Sequence, residues 1–469
     1  MKPSAGLEYR GLAALRGPLA FLSGVRDVSY HEHVEIVGGD GVPRVGRVLS
    51  VSGDSAVIEL FAGSDGLRLH DCRVLLHGRP LSFGVGEELL GRVFDGLGRP
   101  RDGLPPPPAL EERPIDGAPI NPCRREDPRD VLETGVSSID GLNTLVLGQK
   151  LPIFSESGLP HDALALQVIR QARAREAEGF AVVFVGLGLP HDVAMRYEED
   201  FRRSGSLARV TAFINYADDP AAERLIAPRC ALTAAEFLAF DQGRHVLVVL
   251  NDMTNYGEAL REVSSAAGEV PSRKGYPGYL YSDLASIFER AGRIRGLAGS
   301  LTQLPVVTMP SGDLTHPIPD LTGYITEGQV VLDRDLARRG VDPPVSILPS
   351  LSRLMGGAIG GASTRDDHAA VAQQVYVAYA RAARARSLES IIGSEEMSPT
   401  ERAYLAFGDL FEKRFLAQRQ DERRTIGETL DRAWETLTVL PDSELTRIPE
   451  ALLNTRRARP AAAGVEAGA

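Results

Sequence analysis

The residues best placed for chemistry lie within 148–165, where an apolar segment at 151–154 runs into a small polar turn. A helical pattern leaves that turn, with Pro160 in its first turn, where a missing N–H costs nothing. A working phosphate loop has the pattern G-x-x-x-x-G-K-[ST], because amides surround the phosphates, the Lys neutralises them and the hydroxyl holds Mg²⁺. Pro160, His161 and Asp162 stand at the Lys and hydroxyl positions. The sequence therefore predicts a nucleotide-binding loop that has kept its geometry and lost its phosphate chemistry.

The alternative is an ordinary strand-to-helix turn of an α/β protein. The pentapeptide Gly-Leu-Pro-His-Asp of 158–162 recurs at 188–192, after another apolar segment at 181–185. This repeat favours shared turn chemistry over a special site, so the loop alone leaves both readings open.

The loop carries its own negative charge at Glu156. The start of a helix presents unpaired amides and a partial positive charge, which attract anions. We expect the Glu156 carboxylate to fill that position and exclude phosphate, so that Glu156→Gly would strengthen nucleotide binding without conferring catalysis. The alternative is a side chain that points to solvent and matters little.

Two further positions could act on a nucleotide. The apolar segment 246–250 ends at Asn251 and Asp252, and an acidic residue there is the position that reaches Mg²⁺ in phosphoryl-transfer enzymes. Asp252 could equally cap the next helix, with Thr254 as its companion. Arg353 lies among apolar neighbours, between prolines and Gly356-Gly357, which favours a semi-buried guanidinium offered to a partner, as an arginine finger requires.

The aromatic turn at 275–279 precedes Ser282 and Asp283, a good start for a helix running to about Arg295. Its tyrosines could belong to the core, to an adenine pocket or to an interface. Spacing alone leaves these three open.

Composition excludes several classes of protein. The 469 residues are 43% hydrophobic and 25% charged, as in globular proteins, and no apolar run approaches the roughly 20 residues that span a bilayer. A net charge of −11 without a long basic run makes nucleic acid a poor partner. Three widely separated cysteines match no metal-binding spacing, and no signal segment follows the first residues, so we expect a cytoplasmic protein without a metal site.

The chain divides into three expected domains. Residues 1–74 alternate short β-branched segments (19–22, 33–37, 45–51 and 56–61) with Gly-Asp turns, as in a small β-barrel. Residues 75–365 include a stiff, Pro-rich connector at about 99–129 and then an α/β pattern. Residues 366–469 are helical and Ala-rich, with 458–469 expected to be disordered.

The middle domain is expected to contain a parallel sheet with helices on both faces. Its strands are predicted at 151–154, 181–185, 210–215, 246–250 and 305–309, and its helices at 163–178, 191–204, 220–240 (with a possible break at Pro228) and 255–268. Right-handed crossovers would place the loops after the strands at one edge of the sheet. Further helices are predicted at 399–420 and 425–437, after one with Val371, Val375, Tyr379 and Ala382 on a common face.

Several long motifs resemble the B subunit family of V/A-type rotary ATP synthases and ATPases, over nearly the whole chain. They are Thr-Gly at 134–135, Asp-Gly-Leu-Asn-Thr-Leu at 140–145, Gly-Gln-Lys-Leu-Pro-Ile-Phe at 148–154, Gly-Leu-Pro-His at 158–161, Asn-Asp-Met-Thr-Asn-Tyr at 251–256, Gly-Tyr-Pro-Gly-Tyr-Leu-Tyr at 275–281, Glu-Arg-Ala-Gly-Arg at 289–293 and Pro-Ser-Leu-Ser-Arg-Leu-Met at 349–355. The resemblance implies a β-barrel, a RecA-like core and a helical bundle.

The resemblance also implies a function and partners. Three B subunits would alternate with three catalytic A subunits round a central stalk, with a peripheral stalk outside, in a head that is cytoplasmic and peripheral to the membrane. Arg353 would be the finger that reaches ATP or ADP with Mg²⁺ in the neighbouring A subunit. Ser155, Glu156, Ser157, Gly158, Asp252 and Tyr324 would form a degenerate site with weak or absent nucleotide binding, and Tyr324 and 276–281 would be interface or pocket residues. Residues 343–349 would lie near the central stalk.

Three departures from the family pattern concern the chain's own site. Glu156 stands where a small residue is usual, Asn251 where a hydroxyl is common, and the small residues 356–363 where relatives carry polar and basic ones.

The rival interpretations are a self-sufficient hexameric NTPase motor, such as an RNA translocase or secretion ATPase, and a purely structural spacer. The motor requires an intact Lys in the phosphate loop, and the spacer would make Arg353 dispensable.

Overall fold

The computed structural model describes residues 6–174, 179–361 and 363–458. An antiparallel sheet of seven strands forms the N-terminal part, in the order β1-β7-β4-β5-β6-β3-β2. Its strands are β1 (Leu7–Arg10), β2 (Ala14–Arg16), β3 (Leu19–Ser23), β4 (Glu32–Val37), β5 (Pro43–Ser52), β6 (Ser55–Leu60) and β7 (Arg73–Pro80). Alternate residues point inward, as period-two patterning dictates, so that Val34 and Ile36 are fully buried in its core. The four strands predicted in this region are confirmed, and we propose that the N-terminal domain extends to the end of β7.

Short strands lead from this sheet into the middle of the chain. They are β8 (Ser82–Val85), β9 (Val93–Phe94), β10 (Glu111–Pro114), β11 (Arg125–Glu126) and β12 (Leu132–Glu133). The Pro-rich connector contributes β10, which pairs with β8, and β11, which pairs with β18 of the central region. The connector is therefore hydrogen-bonded to the rest of the fold near its middle and near its C-terminal end.

The central sheet contains the strands predicted for a nucleotide-binding core, in the order β21-β20-β13-β19-β17-β15-β16-β9. The remaining strands are β13 (Ile153–Glu156), β14 (Arg173–Ala174), β15 (Phe180–Leu189), β16 (Val210–Tyr216), β17 (His245–Asn251), β18 (Gly292–Ile294), β19 (Ser300–Met309), β20 (Gly328–Leu332) and β21 (Val345–Ser352). Strands β20, β13, β19, β17, β15, β16 and β9 run parallel, and β21 is antiparallel to β20.

Helices cover the faces of this sheet. They are α1 (Ser137–Asp140), α2 (His161–Gln171), α3 (His191–Ser204), α4 (Ala221–Glu236), α5 (Met253–Ala266), α6 (Leu280–Phe288), α7 (Pro317–Ile325), α8 (Arg334–Arg338) and α9 (Met355–Ala358). Two apolar clusters, one on each face, bury the parallel strands on both sides. This is why those strands read as continuous apolar runs.

Three predicted helices end or run differently. The helix predicted to residue 178 ends at Gln171, because Arg173–Ala174 pairs with β12, and residues 175–178 lie outside the described ranges. The helix predicted from Ser282 to Arg295 starts at Leu280 without a side-chain cap and ends at Phe288, because Gly292–Ile294 pairs with β19 and β11. The helix α4 passes Pro228 without a break.

The C-terminal part is helical, as predicted. It comprises α10 (His368–Ile392), α11 (Pro399–Phe411), α12 (Ile426–Leu437) and α13 (Glu450–Ala458). The predicted inner face of α10 is buried in one cluster with α11 and α12. The tail predicted to be disordered lies, apart from Ala458, outside the described residues. Among the helices that the structure describes, none is long and apolar enough to cross a bilayer.

Candidate functional site

The degenerate loop joins the end of β13 to the start of α2, between the parallel neighbours β19 and β20. Gly158 lies in the left-handed region, with φ of +83°, and a Cβ there would meet nothing within 4 Å. The amide of Leu159 donates to the carbonyl of Glu156 at 3.2 Å and closes the turn. Ser157 and Gly158 are exposed, whereas Ser155 is fully buried. The strand, turn and helix order predicted from the sequence is confirmed.

His161, which lies in the region of the missing Lys, does not point into an open anion site. Its Nδ1 lies 3.1 Å from the Oγ of Ser155, and that hydroxyl also donates to the carbonyl of Glu156 at 3.0 Å. The imidazole side chain is only 14% exposed. The first turn of α2 is therefore folded back on the strand that precedes it.

Asp162, in the region of the missing hydroxyl, is also hydrogen-bonded to other side chains of the protein. Its Oδ1 accepts from Asn251 Nδ2 at 2.7 Å and from the Tyr197 hydroxyl at 3.0 Å. Asn251 Nδ2 donates to the Tyr197 oxygen as well, at 3.0 Å, while Asn251 Oδ1 is buried without a recorded partner. The ends of β13 and β17 are thus joined through side chains and not through a metal-holding hydroxyl.

Asp252 caps the helix that follows it. Its carboxylate accepts from the Thr254 amide at 2.8 Å, and from the Thr308 hydroxyl at 2.5 Å and amide at 3.2 Å. The peptide bond between Asn251 and Asp252 is cis. Burial raises the pKa of Asp252, against the lowering effect of the Thr308 hydrogen bond. Of the two interpretations open from the sequence, the capping geometry is the one observed.

Glu156 does not occupy the start of α2, so that prediction is wrong. Its Oε2 accepts from Arg334 Nε at 2.9 Å, and Arg334 also donates to the carbonyl of Ser157 at 2.8 Å. Within the described ranges, no recorded hydrogen bond joins the Glu156 carboxylate to an amide of the loop or of α2. The reason is topological: β20 pairs in parallel with β13, and so the residues that follow both strands meet at one edge of the sheet.

These contacts do not fit a nucleotide phosphate with Mg²⁺. The acidic and hydroxyl groups that would hold the ion are hydrogen-bonded to protein partners, and no Lys stands at the position where it would neutralise the phosphate. Arg334 is the nearest cation recorded on this loop, and Glu156 neutralises it.

Arg353 lies at the other end of these strands. β13 and β20 run parallel and β21 is antiparallel to them, with Gly328, the first residue of β20, opposite Ser352. Arg353 follows the last residue of β21, and so it lies where β13 and β20 begin, whereas the loop lies where β13 ends. Arg353 therefore lies at the opposite end of these strands from its own chain's loop.

The side chain of Arg353 is exposed and not semi-buried as predicted. Its Nη1 donates to the carbonyl of Thr326 at 3.2 Å. None of the ion pairs recorded for the described part of the chain includes Arg353, which leaves most of its guanidinium donors available. The environment differs from the prediction because the apolar neighbour Leu351 is itself 51% exposed on the edge strand.

The backbone of Arg353, in contrast, is held in place. Its amide donates to the carbonyl of Glu327 at 3.0 Å. The preceding Ser352 hydroxyl donates to the carbonyl of Thr144 at 2.8 Å and accepts from Gln149 Nε2 at 3.0 Å. Gln149 Nε2 also donates to the Glu327 carbonyl. An exposed side chain thus extends from a backbone position that is held by hydrogen bonds.

The tyrosines divide between core and surface. Tyr324, on α7, is 73% exposed, and Tyr279 and Tyr281 are 40% and 50% exposed. Tyr276 is buried, donates its hydroxyl to Glu258 and packs edge-on against His316. The buried Tyr276 is therefore a core residue, whereas the exposed tyrosines are available to a partner.

Sequence reasoning missed two residues of the loop region, Thr308 and Arg334. Thr308 lies near the end of β19, where the order of strands in the sheet brings it beside Asp252. Arg334 follows β20, a strand that was not predicted. The apolar residues 330–332 were the sequence signal available for β20, whereas the contact of Arg334 with Glu156 follows from the parallel pairing of β20 with β13, which the sequence does not show.

Comparison with known proteins identifies the family of the chain. The model of the ATP synthase alpha/beta family nucleotide-binding domain matches residues 135–352, and that of the C-terminal domain of V and A type ATP synthase matches residues 357–457. The chain is 56% identical to the V-type ATP synthase beta chain of Halothermothrix orenii over 94% of this chain and 96% of that protein. It is 54% identical to the B subunit of the A-type ATP synthase of Aeropyrum pernix, with the same coverage of each.

A solved structure agrees with these matches. The ATP synthase subunit NeqB from Nanoarcheaum equitans aligns with a TM-score of 0.72 at 35% identity, covering 90% of this chain and 98% of that one. The full-length identity to the two relatives, the match of both domain models and the shared fold lead to one conclusion. The chain belongs to the ATP synthase alpha/beta family, among the B (beta) subunits of the V/A type.

Proposed function

We propose that this chain is the non-catalytic B subunit of a V/A-type ATP synthase or ATPase, and that it supplies Arg353 to a nucleotide held by a neighbouring catalytic A subunit. Three copies alternate with three A subunits in the head of the complex. The nucleotide at that interface is ATP or ADP with Mg²⁺. Turnover is coupled to the transport of protons or sodium ions.

The observation that carries the proposal is the placement of Arg353. It is an exposed arginine without a recorded carboxylate partner, and it stands at the edge of the sheet opposite its own loop. A planar guanidinium matches the charge that spreads over the transferring phosphoryl group. Because Arg353 lies at the opposite end of the strands from its own loop, it would serve a nucleotide site on another subunit. The chain's own loop lacks the groups that hold Mg²⁺ and phosphate, and so we expect its own nucleotide binding to be weak or absent.

The names of the relatives support the proposal that the chain acts within a complex. Both are subunits of V- or A-type ATP synthases, which implies a complex with other ATP synthase subunits. We propose as partners the catalytic A subunit, the central stalk and the peripheral stalk, with the chain located on the cytoplasmic side and peripheral to the membrane. Exposed Tyr324, Tyr279 and Tyr281 are candidates for the contact with the A subunit.

The test is Arg353→Ala in a head complex reconstituted with the A subunit. Fingers in related phosphoryl-transfer enzymes contribute about 10³- to 10⁵-fold in rate, and we expect a loss of that order with assembly intact by native mass spectrometry. Arg353→Lys should recover little, because Lys lacks the planar fork.

Arg338→Ala is the matched control, since Arg338 is a highly exposed arginine on α8 whose ion pair is with Asp335. It should assemble and turn over normally. The isolated wild-type chain, free of A subunit, should show no Mg²⁺-dependent turnover. An assembled Arg353→Ala complex with near-normal turnover would refute the role of Arg353, and turnover by the isolated chain would refute the non-catalytic assignment.

A further inference from the structure

Three side chains of metal-binding types meet on the outer face of the N-terminal sheet. His33 and Glu35 lie two residues apart on β4 and therefore share a face, and His77 lies on the neighbouring strand β7. Their neighbours in sequence, Val34 on β4 and Leu76 on β7, point to the buried core. The register of the two strands thus brings the three side chains together.

Their ligand atoms are close. Glu35 Oε1 lies 3.6 Å from His77 Nε2 and 4.0 Å from His33 Nε2, and one ligand atom from each residue lies within 4.8 Å of the other two. The two imidazole rings are stacked, with centroids 4.2 Å apart and planes 11° apart. No other group of three such residues was found at this spacing among the residues that the structure describes.

The ring nitrogens that face this cluster lack hydrogen-bond partners. The Nε2 atoms of His33 and His77 are both buried, and neither makes a hydrogen bond in the described structure. A buried polar atom without a partner costs free energy, and such atoms usually have a water or an ion near them.

We propose that His33, Glu35 and His77 bind a divalent transition metal ion of the zinc class. Two imidazole nitrogens and one carboxylate oxygen suit Zn²⁺, Co²⁺ or Ni²⁺, whereas Ca²⁺ and Mg²⁺ require oxygen ligands. Three protein ligands leave a fourth position for water.

The observed spacing is compatible with such an ion after small side-chain rotations. Zn–N distances of about 2.0–2.1 Å in a tetrahedral site place ligand atoms about 3.3 Å apart. The two Glu35 distances exceed this value by less than 1 Å. The stacked rings must tilt so that both Nε2 lone pairs point to the ion, and the broad χ2 torsion of His permits this.

The experiment is calorimetric titration of Zn²⁺ into the untagged full chain, with Co²⁺ absorption as a second readout. Stoichiometric binding to one site is expected for the wild type. His33→Ala, His77→Ala and Glu35→Gln should each weaken Zn²⁺ binding by at least about tenfold. Loss of a group that only supports a metal ligand already costs about that much, and these residues are proposed as ligands themselves. Saturating Zn²⁺ should raise the unfolding temperature of the wild type but not that of these three variants.

His70→Ala is the control, since His70 is an exposed histidine of the same domain, and it should bind like the wild type. Circular dichroism without metal establishes that each variant is folded, and Glu35→Gln, on the outer face, keeps the side-chain shape if a histidine variant fails to fold. Absence of stoichiometric binding, or equal affinity in the wild type and Glu35→Gln, would overturn the proposal. Neither result depends on Arg353 or on the A subunit.

Discussion

Single side chains determine what the loop after β13 can hold. His161 is hydrogen-bonded to Ser155, and Asp162 to Asn251 and Tyr197, where a working loop would present an ammonium and a hydroxyl. Each contact occupies a group that would otherwise face phosphate or Mg²⁺. Asp252, at the neighbouring strand end, is likewise hydrogen-bonded to Thr308 and to the helix that it caps. A nucleotide would have to displace several buried hydrogen bonds without the cation that normally offsets its charge.

Reintroducing a single Lys would therefore not restore such a site. The sequence was sufficient to recognise the missing groups, since these are a matter of residue type. It was insufficient to place Glu156, because the position of its partner Arg334 depends on the pairing of two strands far apart in the chain. It was also insufficient to predict the exposure of Arg353, which depends on β21 being an edge strand.

A buried glutamate gives a prediction about pH. Glu223 Oε1 accepts from the amide of Gly96 at 3.0 Å and from Asn215 Nδ2 at 3.3 Å. Burial, followed by the charges of Asp95 and Asp219, raises the pKa of Glu223 to about 7 from 4.5. The native state therefore holds a proton that the unfolded chain has released, and stability is lost as pH rises from about 4.5 to about 7.

Glu223→Gln should remove this loss. The variant should gain stability relative to the wild type as pH rises from 5 to 8, by on the order of 3 kcal/mol if the whole shift is realised. Urea unfolding at both pH values measures it. Glu262→Gln, at an exposed glutamate, should show no comparable change between the two pH values. A Glu223→Gln advantage that is the same at pH 5 and pH 8 would show that the carboxyl is ionised in the native state.

At the scale of elements, the pairing of β20 with β21 positions the arginine. Gly328, at the start of β20, has φ of +141° and faces Ser352. A Cβ at Gly328 would lie 2.1 Å from the backbone carbonyl oxygen of Leu351, a distance that side-chain movement cannot relieve. The close approach of the two strands before Arg353 therefore requires glycine.

Gly328→Ala should displace β21 from β20 at this end. We expect a loss of stability of about 1–3 kcal/mol from backbone strain, and reduced turnover of the reconstituted complex although Arg353 is unchanged. Thermal unfolding and turnover measure the two effects. Gly323→Ala is the control, because a Cβ on α7 at that position meets nothing within 4 Å and Ala favours a helix over Gly. A Gly328→Ala chain as stable and active as the control would show that the strands can separate without consequence.

Elements were predictable where their pattern was local. The apolar runs of β13, β15, β16, β17 and β19 indicated buried parallel strands, and the common face of α10 indicated a packed helix. The strands β12, β14 and β18, of two or three residues each, were missed or assigned to helices, because only their distant partners make them strands. The longer strands β20 and β21 were also missed, although β20 contains the apolar residues 330–332. Pro228 was a similar case: α4 is buried on most of its surface, and tertiary packing overrides the local preference for a break.

At the scale of the whole molecule, a cluster of charges joins the N-terminal sheet, the connector and the central region. Arg47 of β5 pairs with Glu59 of β6 at 2.8 Å and lies 3.8 Å from Asp116 of the connector. Asp116 also lies 3.7 Å from Arg229 of α4. The pKa of Asp116 is lowered to about 2, although burial opposes this, by the His31 hydrogen bond and the charges of Arg229 and Arg47. One carboxylate thus contacts arginines from two parts of the fold.

Asp116→Ala should loosen that junction. Two buried arginines would lose a shared anion, and we expect about 1–3 kcal/mol of destabilisation, because removing one partner leaves the other groups desolvated. Denaturant unfolding followed by limited proteolysis should show the N-terminal sheet released first. Asp335→Ala removes a highly exposed ion pair with Arg338 and should cost under about 1 kcal/mol. Equal effects of the two substitutions would mean that Asp116 does not join the domains.

Glu327 has a consequence for how a rotary complex could be regulated. Its carbonyl accepts from the amide of Arg353, while its carboxylate accepts from the amide of Lys150 and pairs with the Lys150 Nζ at 2.8 Å, just before β13. The base of the guanidinium side chain is thereby fixed to the central sheet and cannot swing on a hinge of its own. The distance that the Arg353 side chain extends into a neighbouring subunit would then depend on the relative orientation of the two subunits. If Arg353 acts as proposed, a central stalk that turned inside the ring could change the activity of each catalytic site by tilting this chain as a rigid body.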